Sequence, residues 1–523
     1  MPTIRQRHQP TTQRPRRDDT VIQHPDDAHA LNAARPLPAG FPHGATVPGL
    51  VVELGNIFQQ AGFELALVGG PVRDIFLGVA AVDLDFTTDA TPEQITEVLG
   101  TWPDAIWDIG AAFGTIGARK AGWQVEITTY RAEKYDPESR KPQVVFGHDL
   151  TDDLLRRDFT VNAMALKLPD LELVDPFGGI RDLAAGRLRT PGRAEASFSD
   201  DPLRMMRAAR FVSQLRLSVA DDVRTAMIEM AERINIISAE RVRDELVKLM
   251  IGADPRAGLE LLVQTGLAEH VLPELPALRL TMDAAHHHKD VYQHSLKVLE
   301  QAMEWEPDYV SAPNFVLRFA AVMHDIGKPA TRRFEKNGAV TFRHHDVVGA
   351  KMVRSRMKAL RFDKETIRAV ATLVELHMRF YGYGDAGWGD SAVRRYVTDA
   401  GDMLHHLHAL TRSDVTTQNK RKANRLAHAY DDLEQRIEQL AAEEELAKIR
   451  PDLNGQQIMQ ILEISPGPLV GRAYQHLLDW RLDQGPHTAE EAEAELLRWW
   501  EQQPESQTKA EPEAESEAES RDE

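Results

Sequence analysis

Cysteine is absent from all 523 residues. That excludes disulfides, thiolate zinc sites and cysteine nucleophiles, and leaves His, Asp and Glu to hold any metal. No apolar run approaches the about 18 residues of a membrane span, and no hydrophobic targeting segment stands near the N-terminus. Membrane partners are therefore not expected, and the cytoplasm is the default location. Positive charge is also short. Lys and Arg number 62 against 81 Asp and Glu, a net of −19. Such a balance excludes strong non-specific attraction to nucleic acid. It does not exclude RNA, because the charge is uneven. Residues 501–523 hold nine acids and two bases, while arginines cluster at Arg204, Arg207 and Arg210 and again at Arg241 and Arg243.

What is present is ordinary for a globular chain, 42% hydrophobic and 27% charged. The length implies about three or four domains. Residues 1–45 are rich in Pro, Gln, Arg and Thr without apolar periodicity and read as a disordered arm. Residues 46–190 mix helix and strand, predicting an α+β head with a small mixed sheet and helices packed against it. Within it, 51–60 reads as helix and 63–68 as a strand. Pro71 opens a helix that should end near Gly78. A helix follows Thr91, and 112–118 pairs with 123–129. The remainder is predicted to be all-α: 191–275, a histidine-rich stretch over 276–430, and further helices over 431–500. Residues 501–523 are low-complexity and read as disordered.

The most informative segment is Ala81-Val82-Asp83-Leu84-Asp85-Phe86, a few residues after Val68-Gly69-Gly70-Pro71-Val72-Arg73-Asp74. Alternation puts Val82, Leu84 and Phe86 on one strand face and Asp83 and Asp85 on the other, roughly 6–7 Å apart. Two carboxylates so spaced can hold divalent metal beside a phosphate. The glycines let backbone N–H groups approach that phosphate. This is the layout of a two-metal nucleotidyl-transfer site. Glu126, on the polar face of a nearby strand, is either a third acid or an exposed strand carboxylate. In the block Asp153-Leu154-Leu155-Arg156-Arg157-Asp158-Phe159-Thr160-Val161-Asn162-Ala163, adjacent arginines can clamp a triphosphate while Asp158 orients them. On a helix starting near Pro202, Asp201 and Arg204 lie one turn apart. A carboxylate accepts from the exocyclic amino group of cytosine or adenine, and a guanidinium donates to the ring nitrogen. Uracil and guanine reverse that pattern, and a site built this way can reject the wrong partner by roughly 10⁴–10⁵-fold.

These blocks resemble the bacterial class II CCA tRNA nucleotidyltransferases and the related bacterial poly(A) polymerases. The matching segments stand in family order: Gly69 to Asp74, Asp83-Leu84-Asp85, Arg156 to Ala163, Asp175-Pro176-Phe177-Gly178-Gly179, Asp201-Pro202-Leu203-Arg204 with Arg207, and Ala239 to Glu245. The resemblance implies a polymerase-β-like nucleotidyltransferase head followed by all-α neck, HD and tail domains. It implies metal (Mg²⁺) on Asp83 and Asp85, with Glu126 beside them. Nucleotide contacts would come from Gly69, Gly70, Arg73, Arg156, Arg157, Asp158 and Asn162. Base reading would fall to Asp201 and Arg204, with Arg207 and Arg210 on the same helix. Family members usually carry Glu before the reading aspartate; here Asp200 stands there. The implied partners are tRNA, CTP and ATP, and not DNA.

The histidine-rich region adds Met323-His324-Asp325-Ile326-Gly327-Lys328 after an apolar helical run, with His294 upstream and His345, His377 and Asp414 downstream within predicted helices. Imidazole and carboxylate without thiolate suit Mn²⁺, Ni²⁺ and similar ions better than structural zinc. The set resembles the HD phosphohydrolase superfamily. That resemblance makes His294, His324, Asp325 and Asp414 core ligands, with His345 and His377 extending the site. His286, His287 and His288 are left aside. The leading expectation is template-independent addition of C, C and A to tRNA 3′ ends, with accessory metal-dependent phosphohydrolase activity in end repair. The alternatives are a poly(A) polymerase and an HD phosphohydrolase whose head delivers RNA. An alarmone synthetase/hydrolase would carry its HD part first.

Overall fold

The structure is a computed structural model. It describes residues 31–505 apart from 81–82, 109, 111–113, 131–148, 280–289, 337–339, 382, 384–387, 418 and 445–449. Most of the expected N-terminal arm, most of the acidic tail, and His286 to His288 therefore lie outside the described residues. The chain divides into two compact units, Met1–Asp200 and Asp201–Glu523.

The first unit is built on a seven-stranded sheet. A short hairpin, β1 (Ala34–Pro36) with β2 (Thr46–Pro48), precedes helix α1 (Gly49–Gln60). Residues 31–45 were expected to be disordered. They carry β1 instead, and Leu31 and Val47 are buried in the head core, so a few apolar side chains anchor a polar segment. Then come β3 (Leu65–Val68), α2 (Gly70–Leu77), β4 (Asp83–Thr88), α3 (Pro92–Leu99), β5 (Ala105–Trp107), β6 (Thr115–Lys120) and β7 (Trp123–Thr129). After them follow α4 (Leu150–Leu155), a 3₁₀ turn at Thr160–Asn162, β8 (Ala165–Leu168), β9 (Glu172–Val174), α5 (Gly179–Ala184) and α6 (Ala194–Asp200). The sheet order is β5-β6-β7-β4-β3-β8-β9, with β4 and β7 parallel and the other neighbours antiparallel. The sheet is thus mixed, as expected.

Local chemistry fixes the boundaries. Gly78 closes α2 in the left-handed conformation, at the expected position. Thr91 caps α3 with a full capping box. Alternation along the strands does the rest. Leu67, Leu84, Phe86, Val125 and Ile127 share one face and bury against the helices. The opposite face, covered in part by Tyr130, Leu150 and Leu154, carries the aspartates.

The second unit is helical. Its first part comprises α7 (Leu203–Leu215), α8 (Asp221–Met230), α9 (Ala239–Met250) and α10 (Pro255–Gln264). A second group holds α11 (Val291–Tyr309), α12 (Phe315–Met323), α13 (His345–Ala359), α14 (Lys364–Leu376), α15 (Asp390–Ala400), α16 (Leu404–Ser413) and α17 (Lys420–Glu444). Helices α18 (Gly455–Leu462), α19 (Pro468–Gln484) and α20 (Ala489–Glu501) close around their own small core of Ile458, Leu462, Leu477 and Leu496. The division expected at residue 430 falls inside α17, a single 25-residue helix. Among the described residues, no helix is long and apolar enough to cross a membrane.

Candidate active sites

Two constellations stand out, one in each unit. In the head, β4 and β7 pair so that Asp83 lies opposite Gln124 and Asp85 opposite Glu126. Paired residues of neighbouring strands share a face, so all three carboxylates project to the same side, away from buried Leu84 and Phe86. Burial pushes the Asp85 carboxyl above its ordinary range. Glu126 adds to the rise, Arg157 opposes it, and Asp83 raises it further. These three groups are thus within electrostatic reach of Asp85. A half-buried acid crowded by two others favours a neighbouring cation, and oxygen-only donors suit a hard ion such as Mg²⁺.

The glycine turn lies beside them. Gly69 caps α2 at φ 75°, which favours glycine, and a Cβ there would meet Arg157 Nη1 at 3.0 Å. Arg157 is held through Nη2 by Asp153 Oδ2 at 3.2 Å, and its buried Nε has no hydrogen-bond partner. On the other flank, Arg73 donates to Asp74 Oδ1 at 2.9 Å and to Asn162 Oδ1 at 2.8 Å. Asn162 in turn donates to Asp158 Oδ1 at 3.0 Å. Two guanidinium groups therefore bracket the turn, and one presents an unsatisfied buried donor of the kind a phosphate oxygen satisfies. Asp158 accepts from the Phe159 amide and from Asn162, and the acid seen holding Arg157 is Asp153, one turn back on α4. Arg156 caps the end of α4.

Asp201 opens the second unit. Its Oδ1 accepts from the Leu203 amide at 3.1 Å and its Oδ2 from Arg241 at 2.8 Å. Arg204 follows in the first turn of α7. Arg210 is largely buried, with Nε 2.6 Å from Glu245 Oε2 and its guanidinium 4.1 Å from the Phe211 ring centre. Arg207 lies 3.9 Å from the same carboxylate.

The second constellation gathers six side chains from five helices. His294 sits within α11, and His345 opens α13. His324, His377 and Asp414 stand at the C-terminal ends of α12, α14 and α16, a placement the helical pattern alone does not give. Each imidazole is pinned at Nδ1. His324 meets Ala321 O at 2.8 Å, His345 meets Phe342 O at 2.8 Å, His377 meets Val374 O at 2.6 Å and His294 meets Thr416 Oγ1 at 3.1 Å. Carbonyl partners fix the tautomer that leaves Nε2 free as a ligand. The Nε2 atoms converge on two carboxylates. His294 is 2.9 Å from Asp414 Oδ1, His324 is 3.3 Å from Asp325 Oδ2, and His345 is 3.3 Å from Asp325 Oδ1.

The atoms form two triads, His294/His324/Asp414 and Asp325/His345/His377, each compact enough for one ion. His324 Nε2 is buried and makes no well-aligned hydrogen bond, which suits a metal-ligand atom. Burial lowers His377 to about 4, with His324 adding to the effect, so the ring is neutral at physiological pH and fit to coordinate. Burial alone would raise Asp325, yet the neighbouring His324 and His345 and Lys328 hold it well below the usual range. His294, Asp325, His345 and Asp414 line a cavity of about 910 Å³ that Lys328, Arg343, Tyr381 and Lys422 also reach. Gly327 is demanded by packing: a Cβ there would lie 2.0 Å from His345 O.

The comparisons with known proteins agree with this division of labour. The Poly A polymerase head domain family matches residues 65–189. The family described as the probable RNA and SrmB-binding site of polymerase A matches 216–278, and the HD domain family matches 291–440. An A-adding tRNA nucleotidyltransferase of Deinococcus radiodurans is 34% identical over 449 residues, 84% of this chain and 96% of the relative. The chain belongs to the tRNA nucleotidyltransferase family. A CCA-adding enzyme of Lactobacillus delbrueckii subsp. bulgaricus is 42% identical over 212 residues, 40% of this chain. The chain spans only 52% of that relative's length. Among solved structures, the Bacillus stearothermophilus CCA-adding enzyme in complex with CTP aligns with a TM-score of 0.62 at 23% identity, over 86% of this chain and 96% of that one. At that identity the likeness speaks for the fold alone.

Within this family member, several supporting groups escape a reading of the sequence. Asp153 carried an available signal, an acid four residues before Arg157. Asp182 carried none. It is buried, accepts from Thr160 Oγ1 at 2.7 Å and from Arg189 Nε at 3.0 Å, and so braces the turn that bears Asn162. Asp175, from the block Asp175 to Gly179 that the sequence did single out, accepts from the amides of Gly179 and Ile180 at the start of α5, where a Cβ on Gly179 would clash with Thr160 O. Tyr381, which donates to Asp414 Oδ2 at 2.8 Å, and Thr416 were equally silent.

Proposed function

We propose that this protein adds C, C and A to tRNA 3′ ends from CTP and ATP without a nucleic-acid template, releasing pyrophosphate. One observation carries the reading: three carboxylates on one face of the β4–β7 pair stand beside a glycine turn bracketed by Arg73 and Arg157. Asp83 and Asp85, with Glu126 beside them, would hold divalent cations, Mg²⁺ by their oxygen-only donors. Bound there, such ions would acidify the attacking 3′-hydroxyl and neutralise charge on the phosphates. The protein's own part is positioning. The Gly69-Gly70 backbone, Arg73, Arg156 and Arg157 take the triphosphate, and Asp158 and Asn162 keep Arg73 in place. Base choice falls to Asp201 and Arg204, with Arg207 and Arg210 alongside, through the amino-group and ring-nitrogen pattern that C and A share.

The working division is a head over 46–190, a nucleotide- and RNA-binding neck over 191–275, an HD domain from 276 and a helical tail to 500. We extend the HD domain through α17, because a helix is not divided between domains without a break. A defined tRNA lacking its CCA end tests the main reading. With CTP alone, two C residues should be added; no incorporation of C sinks it.

A second reading has a specific observation behind it. The relative aligned over nearly its whole length is A-adding, whereas the CCA-adding relative is matched over about half of its own. Addition of a single A to a tRNA ending in CC, with none of C, would favour it. A long A tract from ATP would instead mark a poly(A) polymerase.

The second constellation supports an accessory phosphohydrolase acting on phosphate esters at RNA ends. The triads would take a transition metal such as Ni²⁺ or Mn²⁺, since imidazole and carboxylate suit such ions. Bound there, the metal would supply an activated water to attack phosphorus as the P–O bond to the ester oxygen breaks and that oxygen takes up a proton, while Lys328 and Arg343 would offer positive charge to the phosphoryl oxygens. Hydrolysis of 2′,3′-cyclic phosphates should appear with added metal and vanish in Asp325→Ala. Metal-independent hydrolysis, or none, would remove this activity.

A further inference from the structure

Helix α9 meets α7 and Asp201, just ahead of the α7 cap, through three polar rungs. Arg241 Nη2 lies 2.8 Å from Asp201 Oδ2. Four residues on, Glu245 takes Arg210 at 2.6 Å. Four further on, the Leu249 carbonyl accepts from Ser213 Oγ at 2.6 Å. Spacing of i, i+4 and i+8 sets all three on one stripe of α9. The two inner rungs are buried, as Glu245 and Ser213 are 4% and 0% exposed, and they clamp the helices together.

The outer rung is different. The Arg241 side chain is 52% exposed and that of Asp201 24%. An ion pair so open to water adds little to stability. It does, however, define a carboxylate. Asp201 Oδ1 is fixed by the Leu203 amide and Oδ2 by Arg241, so the carboxylate plane cannot turn. A carboxylate offers about four lone-pair positions, which leaves two for a ligand. Arg241 is itself rooted, because its amide donates to Ser238 Oγ, the cap of α9, at 3.4 Å.

We propose that Arg241 is a positioning residue for nucleotide selection. It holds the Asp201 carboxylate in the one orientation whose open lone pairs meet the exocyclic amino group of cytosine or adenine. The inference rests on the base-reading role proposed for Asp201. With the guanidinium gone, the carboxylate turns aside. The correct base loses a well-aimed acceptor, and the carbonyl of uracil or guanine no longer meets a fixed negative group. Discrimination falls more than turnover does.

The test uses the full chain and a tRNA lacking its 3′ nucleotides. It measures kcat/KM for CTP against UTP, and for ATP against GTP, in wild type, Arg241→Ala, Arg241→Lys and Asp201→Ala. Arg241→Ala should lower both ratios by roughly tenfold or more, on the scale of one hydrogen-bonding group in a selective site. Its melting temperature should stay close to wild type. Arg241→Lys, which keeps the charge but not the fork, should recover part of the loss and serves as the reporter if the alanine variant folds poorly. An Arg241→Ala enzyme with wild-type ratios, alongside an Asp201→Ala enzyme that has lost them, overturns the proposal and leaves base reading intact. Wild-type ratios in Asp201→Ala would bring down the base-reading role and this inference with it.

Discussion

Burial, then Glu126, pushes the Asp85 carboxyl upward, and Asp83 adds to it against the pull of Arg157. An acid whose folded pKa exceeds its unfolded value costs stability when ionised. That cost is present at neutral pH and disappears as pH falls through the folded value. Asp85→Asn should therefore melt at a higher temperature than wild type in chelator at neutral pH, and the gap should shrink on acidification. The same variant should lose nucleotide addition by about 10²–10³-fold or more, as expected on losing a group that organises transition-state charge. Thermal melts with and without Mg²⁺, beside single-turnover assays, check both halves. A variant that melts lower in chelator at neutral pH would contradict the electrostatic account.

At the scale of elements, two glycines hold the architecture of the sites. A Cβ on Gly327 would lie 2.0 Å from His345 O and 2.8 Å from Gly349 N, both backbone atoms at the start of α13. Gly327→Ala must push that helix away and carry His345 with it. Bound metal should fall from two ions towards one, with the His294/His324/Asp414 triad retained, and elemental analysis of the metal-loaded protein reads this directly. Gly69 has a milder conflict, with the far end of Arg157 at 3.0 Å, but its φ of 75° resists any side chain. Gly69→Ala should raise the KM for CTP by roughly tenfold while the HD-site hydrolysis is unchanged.

These elements also explain what the sequence could and could not disclose. Asp83, Asp85 and Glu126 were legible because a strand has period two and their apolar alternates are unambiguous. Gly78 was legible as a helix stop, and the helix after Thr91 was legible too, though not the capping box that starts it. Asp182, Tyr381 and Thr416 were not, since each acts on a partner 22 to 122 residues away with no local pattern between them. The six clustered side chains could be collected by residue type, but not their arrangement at helix ends. Neither the hairpin strand β1 nor the run of α17 through residue 430 had a periodic signal strong enough to override composition.

For the whole molecule, the two constellations lie in separate compact units, and their chemistry should separate cleanly. Asp325→Ala should leave nucleotide addition within about twofold of wild type, and Asp85→Asn should leave phosphate-ester hydrolysis equally untouched, well inside the tenfold that 1.4 kcal/mol would represent. Loss of both activities in either variant would mean that the units do not work independently. A net charge of −19 further implies that tRNA is bound through local basic stripes and not by a general field. The logarithm of tRNA affinity should therefore fall with salt at a shallow slope, about 0.7–0.9 per phosphate neutralised, for only a few phosphates.

Lys328 has one more consequence. Its ammonium lies 2.6 Å from Asp325 Oδ2, inside the ring of ligands. It can serve as a resident placeholder. Were a chelator to strip bound ions, Asp325 would still have a cation at its side, and the pit would not spring open from its own negative charge. Stripped protein should thus stay folded and take metal back on dilution into Ni²⁺ or Mn²⁺, whereas Lys328→Met should lose that reversibility.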